Sequence, residues 1–380
     1  MQKPAQQKTI STTIAPHPKG GVMQVILRSV AFIAIAMYCA AFPAFAANFP
    51  EPKEGSRVAK DFRFHTGEVM PEVTLHYRTI GDPGNEPVLL LYGTAGSGLN
   101  FMTRNFADEL FGSGQPLDAT KYFIILPDAL GTGKSTRPSS SGLRMKFPKY
   151  NSDDMVQAHY RLVTKGLGIK HLRMVMGNSM GGMHTWVWAT KYPGMMDIAV
   201  PMACQPGAMS GRNWMMRRLL ADSIRNDPEW NNGDYTAQPR NMMRHLTYFS
   251  VATSGGDIAV YNSAPTSAQG DAILAKRLAA PFRGDANDIL LQWESSADFN
   301  PMPMLDRVQA TVFAINAADN ESNPPALGMM EDAMKRLKNG RYLLIPQSAD
   351  TRGHSTTGMA KFYKKELEEL LRTAPRRKPG

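Results

Sequence analysis

Met174-Val175-Met176-Gly177-Asn178-Ser179-Met180-Gly181-Gly182 is the stretch whose reading decides the fold. It reads as a buried strand, a sharp turn and the start of a helix. Gly177-Asn178-Ser179-Met180-Gly181 fits the G-x-S-x-G elbow pattern. So tight a turn forces its central serine into a strained backbone conformation. The glycines two residues before and after it remove Cβ atoms that would collide there. Gly182 lets the helix sit close to the strand. Ser179 then stands at a helix N-terminus, where free N–H groups and the dipole favour a developing anion.

Working outward, the flanking chain alternates strand and helix. Phe62 to His65 and Val73 to Ile80 read as an antiparallel pair, after a proline-containing arm from Ala47 to Gly55. Pro87 to Tyr92, Tyr122 to Leu126 and His171 to Met176 are apolar runs suited to buried parallel strands. Helices are expected around Phe101 to Phe111 and from Ser152, with Asp153 and Asp154 in the first turn. Ile198 to Met202 is the strand after the elbow helix. From residues 205 to 300 the chain shows helical periodicity without βα alternation, as expected of an inserted helical lid. Alternation returns with the strand Thr311 to Ala317, a helix near Pro325 to Leu337, the strand Tyr342 to Pro346 and a last helix Met359 to Leu371. The fold class is therefore α/β, with a mostly parallel central sheet covered on both faces. Its core is expected in two parts, residues 47–204 and 301–380.

A serine hydroxyl needs a base to take its proton, and the base needs a partner that fixes its tautomer. In an elbow of this type the chain order is serine, then acid, then histidine. His184 lies on the elbow helix and His245 in the lid. His354, after the last strand in the loop 348–357, is the expected base. Asp319 follows the strand Thr311 to Ala317 and is the expected acid, with Glu321 and Asp350 as competitors. Protonation of His354 should abolish activity on acidification, within the ordinary imidazole range of about pH 5–8. The oxyanion donors expected are the N–H groups of Met180 and Thr94, with Ala95 second. Gly131-Thr132-Gly133-Lys134-Ser135 lacks the first glycine of a phosphate-binding loop, which would fall on Asp128. It is expected to border the mouth of the site instead. The methionines of the elbow and lid read as core filler. A flexible apolar acyl pocket is the alternative.

Composition sets the boundaries. The chain has 380 residues and is 43% apolar, enough for a sizeable core. Residues 1–46 differ from the rest: Arg28 precedes the apolar run Val30 to Ala41, and Ala44-Phe45-Ala46 supplies a cleavage site. That is the layout of a secretory signal peptide, with Met23 as an alternative start. Its removal implies a periplasmic or secreted protein with no stable membrane span, and lowers the formal charge from +10 to +6 as Lys3, Lys8, Lys19 and Arg28 leave. The Arg376-Arg377-Lys378 tail reads as solvated charge, and no nucleic-acid motif accompanies it. Cys39 leaves with the leader, so Cys204 has no disulfide partner within the chain. No zinc-like Cys/His spacing is present, and neither metal nor cofactor is expected.

At this level the sequence resembles the α/β-hydrolase superfamily and, within it, the homoserine O-acetyltransferase family. The resemblance is carried by Gly177 to Met183, by Asp227-Pro228-Glu229-Trp230-Asn231-Asn232-Gly233-Asp234-Tyr235, by Leu246-Thr247-Tyr248-Phe249-Ser250 and by Gly133-Lys134-Ser135-Thr136. It implies an acyl-enzyme on Ser179, His354 as base and Asp319 as its partner. It also implies substrate contacts near Tyr248, Asn241 and Arg240, with a small-molecule acyl substrate and a homodimer as an open option. The chain departs from the family where an arginine falls on Asn241, where Phe249 replaces an arginine, and where Tyr92 replaces a histidine. A bidentate carboxylate clamp is lost with the first of these. Together with the leader, these changes favour ester hydrolysis over homoserine acetylation.

Overall fold

The computed structural model describes residues 48–282 and 284–377. The expected leader, its Cys39 and Lys378 lie outside the described residues. Eight strands form one sheet: β1 (Lys53–Arg63), β2 (Val69–Ile80), β3 (Glu86–Leu91), β4 (Tyr122–Pro127), β5 (Leu172–Asn178), β6 (Met196–Met202), β7 (Thr311–Ala317) and β8 (Gly340–Ile345). Their order is β1-β2-β4-β3-β5-β6-β7-β8. β1 and β2 are antiparallel to each other, β2 is antiparallel to β4, and the remaining pairs are parallel. β1 begins earlier than its apolar pattern suggests. Only Phe62 is buried in it, and an edge strand paired through its backbone needs no apolar signature.

The helices are α1 (Ala107–Leu110), α2 (Pro138–Ser141), α3 (Ser152–Arg161), α4 (Met180–Lys191), α5 (Gly211–Arg225), α6 (Asn241–Thr253), α7 (Asp257–Ser263), α8 (Ser267–Ala279), α9 (Ala286–Glu294), α10 (Met329–Arg336) and α11 (Lys364–Thr373). Side chains alternate across the sheet. Leu89, Leu91, Leu172 and Val175 pack on the face holding α3 and α4, while Val88, Leu90, Met174 and Met176 pack on the face holding α1 and α11. Both faces are therefore dry, which is why β3 and β5 read as continuous apolar runs. Residues 205–300 are helical, α5 to α9 plus a short 3₁₀ stretch, and α5, α6 and α9 enclose a small core of their own around Leu220, Ile224, Trp230, Met242, Leu290 and Trp293.

Candidate active site

The elbow joins β5 to α4. Ser179 sits between them at φ +57° and ψ −119°, a region that L side chains rarely occupy. The conformation is over-determined by its surroundings. Ser179 N–H donates to Met202 O at 2.9 Å, and Met183 N–H donates to Ser179 O at 3.0 Å. A Cβ at Gly177 would overlap the carbonyl of Gly181, and one at Gly181 would overlap the carbonyl of Leu91.

His354 Nε2 lies 2.8 Å from Ser179 Oγ. Its Nδ1 faces Asn320, not Asp319: the Nδ1···Oδ1 distance is 3.1 Å. The identity of that oxygen follows from the bonding around it. Asn320 Oδ1 also accepts the backbone N–H groups of Ser322 (3.1 Å) and Asn323 (3.0 Å), and Asn320 Nδ2 donates to Asn316 Oδ1 at 2.6 Å. An atom accepting two N–H groups is oxygen, so Nδ1 of His354 carries the proton and Nε2 presents its lone pair to the serine.

Asp319 is one residue away with a different task. Its Oδ2 accepts Thr351 Oγ1–H at 2.7 Å and Gly353 N–H at 3.1 Å, while Oδ1 has no partner among the described residues. The side-chain turn that Asn320 makes onto residues 322 and 323 aims Asn320 at the imidazole and leaves Asp319 to pin the loop carrying it. Glu321 pins the same loop from the other side, accepting His354 N–H at 3.1 Å and Gly256 N–H at 2.7 Å. Asp350 is exposed and pairs with Lys361 at 3.4 Å. Thr357 Oγ1 donates to Asn178 Oδ1 at 2.6 Å, tying the histidine loop to the elbow.

The loop after β3 approaches the serine closely. A Cβ at Gly93 would stand 3.0 Å from the Cβ of Ser179. Ala95 N–H is taken by Gln292 Oε1 at 2.8 Å, whereas the N–H groups of Thr94 and Met180 meet no acceptor among the described residues. Thr94 Oγ1 accepts from Arg217 at 3.1 Å. Arg217 on α5 and Gln292 on α9 thus hold the oxyanion loop from the helical segment. Neither shows in the sequence pattern, since a buried arginine on an amphipathic helix looks like any surface arginine.

A cavity of about 360 Å³ opens over the serine. Tyr92, Thr94, Asn213, Arg217, Leu246, Phe249, Ser250, Trp293 and His354 are among its walls, and no methionine lines it among the described residues. The expected contacts Tyr248, Asn241 and Arg240 are not there. Tyr248 is 64% exposed, Asn241 opens α6 with its N–H on Asp227, and Arg240 projects outward near Glu229. Met242, Leu246, Phe249 and Thr253 form the inward stripe of α6, which turns Tyr248 and Asn241 away. The loop after β4 does not line the cavity either. Its Asp128 is buried, receives Lys134 N–H and Gly98 N–H and pairs with His76 and Arg78, while Ser139 donates its N–H and its hydroxyl to Asp288 of α9. That loop is a clasp between sheet and helices.

Burial and then the facing Arg217 hold the His354 imidazole down to about 4. It is therefore neutral and able to accept a proton above about pH 5, below the range expected from its residue type. His184 is buried behind the elbow against His159, and among the described residues the His245 ring bonds its own helix at Asn241 O. Cys204 is a free, buried thiol under α4. Among the described residues no group of three or more His, Cys, Asp or Glu could hold a metal, and no helix is long and apolar enough to cross a membrane.

Residues 86–350 match the family model described as alpha/beta hydrolase fold. A homoserine O-acetyltransferase of Moorella thermoacetica is 31% identical over 212 residues, covering 50% of this chain and 56% of that protein. The chain spans about half the length of the curated relatives it matches. Among solved structures, homoserine O-acetyltransferase from Bacillus anthracis superposes with a TM-score of 0.72 at 22% identity, over 87% of this chain and 100% of that one. An acetylester hydrolase from Corynebacterium glutamicum gives a TM-score of 0.72 at 19% identity, over 84% and 96%. At these identities the superpositions speak for the fold.

Proposed function

The chain belongs to the alpha/beta hydrolase fold family, and from that premise we propose that it is an exported serine hydrolase cleaving an ester or related acyl substrate. The observation that carries the reading is the 2.8 Å approach of the neutral His354 Nε2 to a serine held in a strained elbow. Ser179 Oγ attacks the acyl carbon as its proton passes to Nε2. The carbonyl oxygen becomes an oxyanion and takes the Met180 and Thr94 N–H groups. The leaving alkoxide collects the proton from the imidazolium, and the acyl group stays on Ser179. Water then repeats the sequence and frees the acid. Asn320 fixes the tautomer through both steps. It is neutral, so it orients the imidazolium without offsetting its charge as a carboxylate would.

Acyl transfer to a hydroxyl acceptor is the second reading, favoured by the sequence similarity to homoserine O-acetyltransferases. It uses the same acyl-enzyme and replaces water with an alcohol. Against a homoserine acceptor stands Phe249, an apolar wall of the cavity at a position where the resembled family has an arginine. Export rests on the leader pattern of residues 1–46; cell fractionation should recover a protein whose mass begins at Ala47. A homodimer paired through the lid would cover exposed apolar residues one turn apart, Met215 with Leu219 on α5 and Leu274 with Leu278 on α8.

The function is tested with a short-chain p-nitrophenyl ester. The parent protein should turn it over, and Ser179→Ala should not. Product analysis with homoserine added decides between the readings: free acid alone supports hydrolysis, and acyl-homoserine formed at the expense of acid supports transfer. Absence of turnover by the parent rejects both.

A further inference from the structure

Arg217 is a buried charge with no counter-charge among the described residues. It is 4% exposed, and burial lowers it only to about 10, so it stays cationic at neutral pH. Its Nε donates to Asn213 Oδ1 at 2.9 Å and one terminal nitrogen donates to Thr94 Oγ1 at 3.1 Å. Both acceptors are neutral. Among the described residues the other terminal nitrogen meets no acceptor and no carboxylate pairs with the group. Its Cζ lies over the Trp293 ring, 5.1 Å from the centroid, and among the described residues the Trp293 Nε1–H also lacks an acceptor. Buried charges in proteins are paired, because an unpaired one carries an uncompensated desolvation cost. Here the guanidinium lines the catalytic cavity together with Ser179 and His354.

We propose that Arg217 is a carboxylate-recognition residue, and that the substrate of the Ser179 centre carries a free carboxylate beside its reacting ester. The proposal rests on the hydrolase reading for the ester and on Arg217 alone for the charge. One uncompensated cation with a single unoccupied nitrogen suits a monoanion better than a phosphate dianion. The carboxylate also has an electrostatic consequence. Arg217 faces the imidazole and opposes its protonation, so neutralising Arg217 with the substrate's charge removes that opposition as the proton moves from Ser179 to His354. Bound substrate then supplies a negative charge that Asn320 lacks.

Two ester pairs test this by kcat/KM from acid release: monomethyl glutarate against methyl pentanoate, with the charge on the acyl side, and acetoxyacetate against propyl acetate, with the charge on the alcohol side. The parent should favour the charged member of one pair by about 30-fold or more, the cost typical of leaving a buried charge unpaired. In Arg217→Met that ratio should fall to near one, and Arg217→Lys should keep part of it. A parent ratio near or below one in both pairs overturns the proposal, as does a ratio that survives in Arg217→Met. Calorimetry with Ser179→Ala separates this from the hydrolase reading, since it needs no turnover. A charged ester should bind, and binding should vanish in Ser179→Ala/Arg217→Met. Binding of the charged ester without turnover by the parent would keep Arg217 as a carboxylate-recognition residue and reject the hydrolase reading with its reacting ester; turnover of neutral esters with binding of inorganic phosphate but of neither charged ester would keep the hydrolase reading and overturn the role of Arg217.

Discussion

Among single residues, Asn320 and Asp319 divide the work of orienting His354. Chain order asks for an acid between the serine and the histidine, and Asp319 is the carboxylate at the right strand end. Which of two neighbours meets the imidazole is decided by a side-chain turn onto residues 322 and 323, and no spacing rule encodes that. The two residues make opposite predictions. Asn320→Ala should lower kcat by about 100-fold or more, as the tautomer and ring orientation are lost. Asp319→Asn should cost less than about tenfold, because an amide oxygen still accepts Thr351 and Gly353. A loss near 10⁴-fold in Asp319→Asn, the size seen where a true triad acid is amidated, would return the role to Asp319. The acid limb of the pH profile belongs here too. With His354 held at about 4, kcat/KM should be flat from about pH 6 to 8 and fall as protonation removes the base near pH 4. A limb centred at pH 6.5 would mean that burial and Arg217 do not act on the imidazole as the geometry requires.

At the element scale, strands were legible where burial on both faces makes an unbroken apolar run. The strand expected over Thr311 to Ala317 is β7 residue for residue. Edge strand β1 was legible only at its Phe62 end, and the helix expected around Phe101 to Phe111 shortens to α1, since pairing and packing rather than pattern set the bounds of both. The face of α6 was the larger miss. A helical period says that one stripe docks, but Met242, Leu246 and Phe249 compete with the adjacent Asn241, His245 and Tyr248, and the contact with Trp293 selects the first. Phe249→Ala should therefore change KM for esters more than Tyr248→Ala does. The packing of α3 on α4 carries a pH signature as well. His159 and His184 lie edge to face, their nitrogens without partners among the described residues, burial holding His159 at about 4 and His184 well below its usual range. The unfolded chain binds these protons at about pH 6.5 and the folded chain does not. Stability is thus retained above pH 6.5 and lost as pH falls below it, by up to about 1.4 kcal/mol per pH unit for each histidine, the His159 part being complete near pH 4. Thermal denaturation should show Tm falling across that window, less steeply in His159→Leu. An equal slope in both proteins would remove His159 from the explanation.

At the scale of the whole molecule, the helical segment closes the site that the sheet builds. Arg217 and Gln292 reach from α5 and α9 to the oxyanion loop, and Ser139 reaches from the loop after β4 to Asp288 of α9. The segment leaves Leu219 (55% exposed) and Met215 (66% exposed) in solvent. If two copies pair there, light scattering should give a dimer for the parent and a monomer for Leu219→Asp, with circular dichroism unchanged; a monomeric parent would remove the dimer.

The central claim is that Ser179 is an acylated nucleophile activated by His354. Intact mass measured after exposure to a fluorophosphonate tests it most directly. One adduct is expected on the parent, mapped to the peptide holding Ser179, with none on Ser179→Ala and strongly slowed labelling of His354→Ala. An unmodified parent, or an adduct that persists in Ser179→Ala, would contradict it.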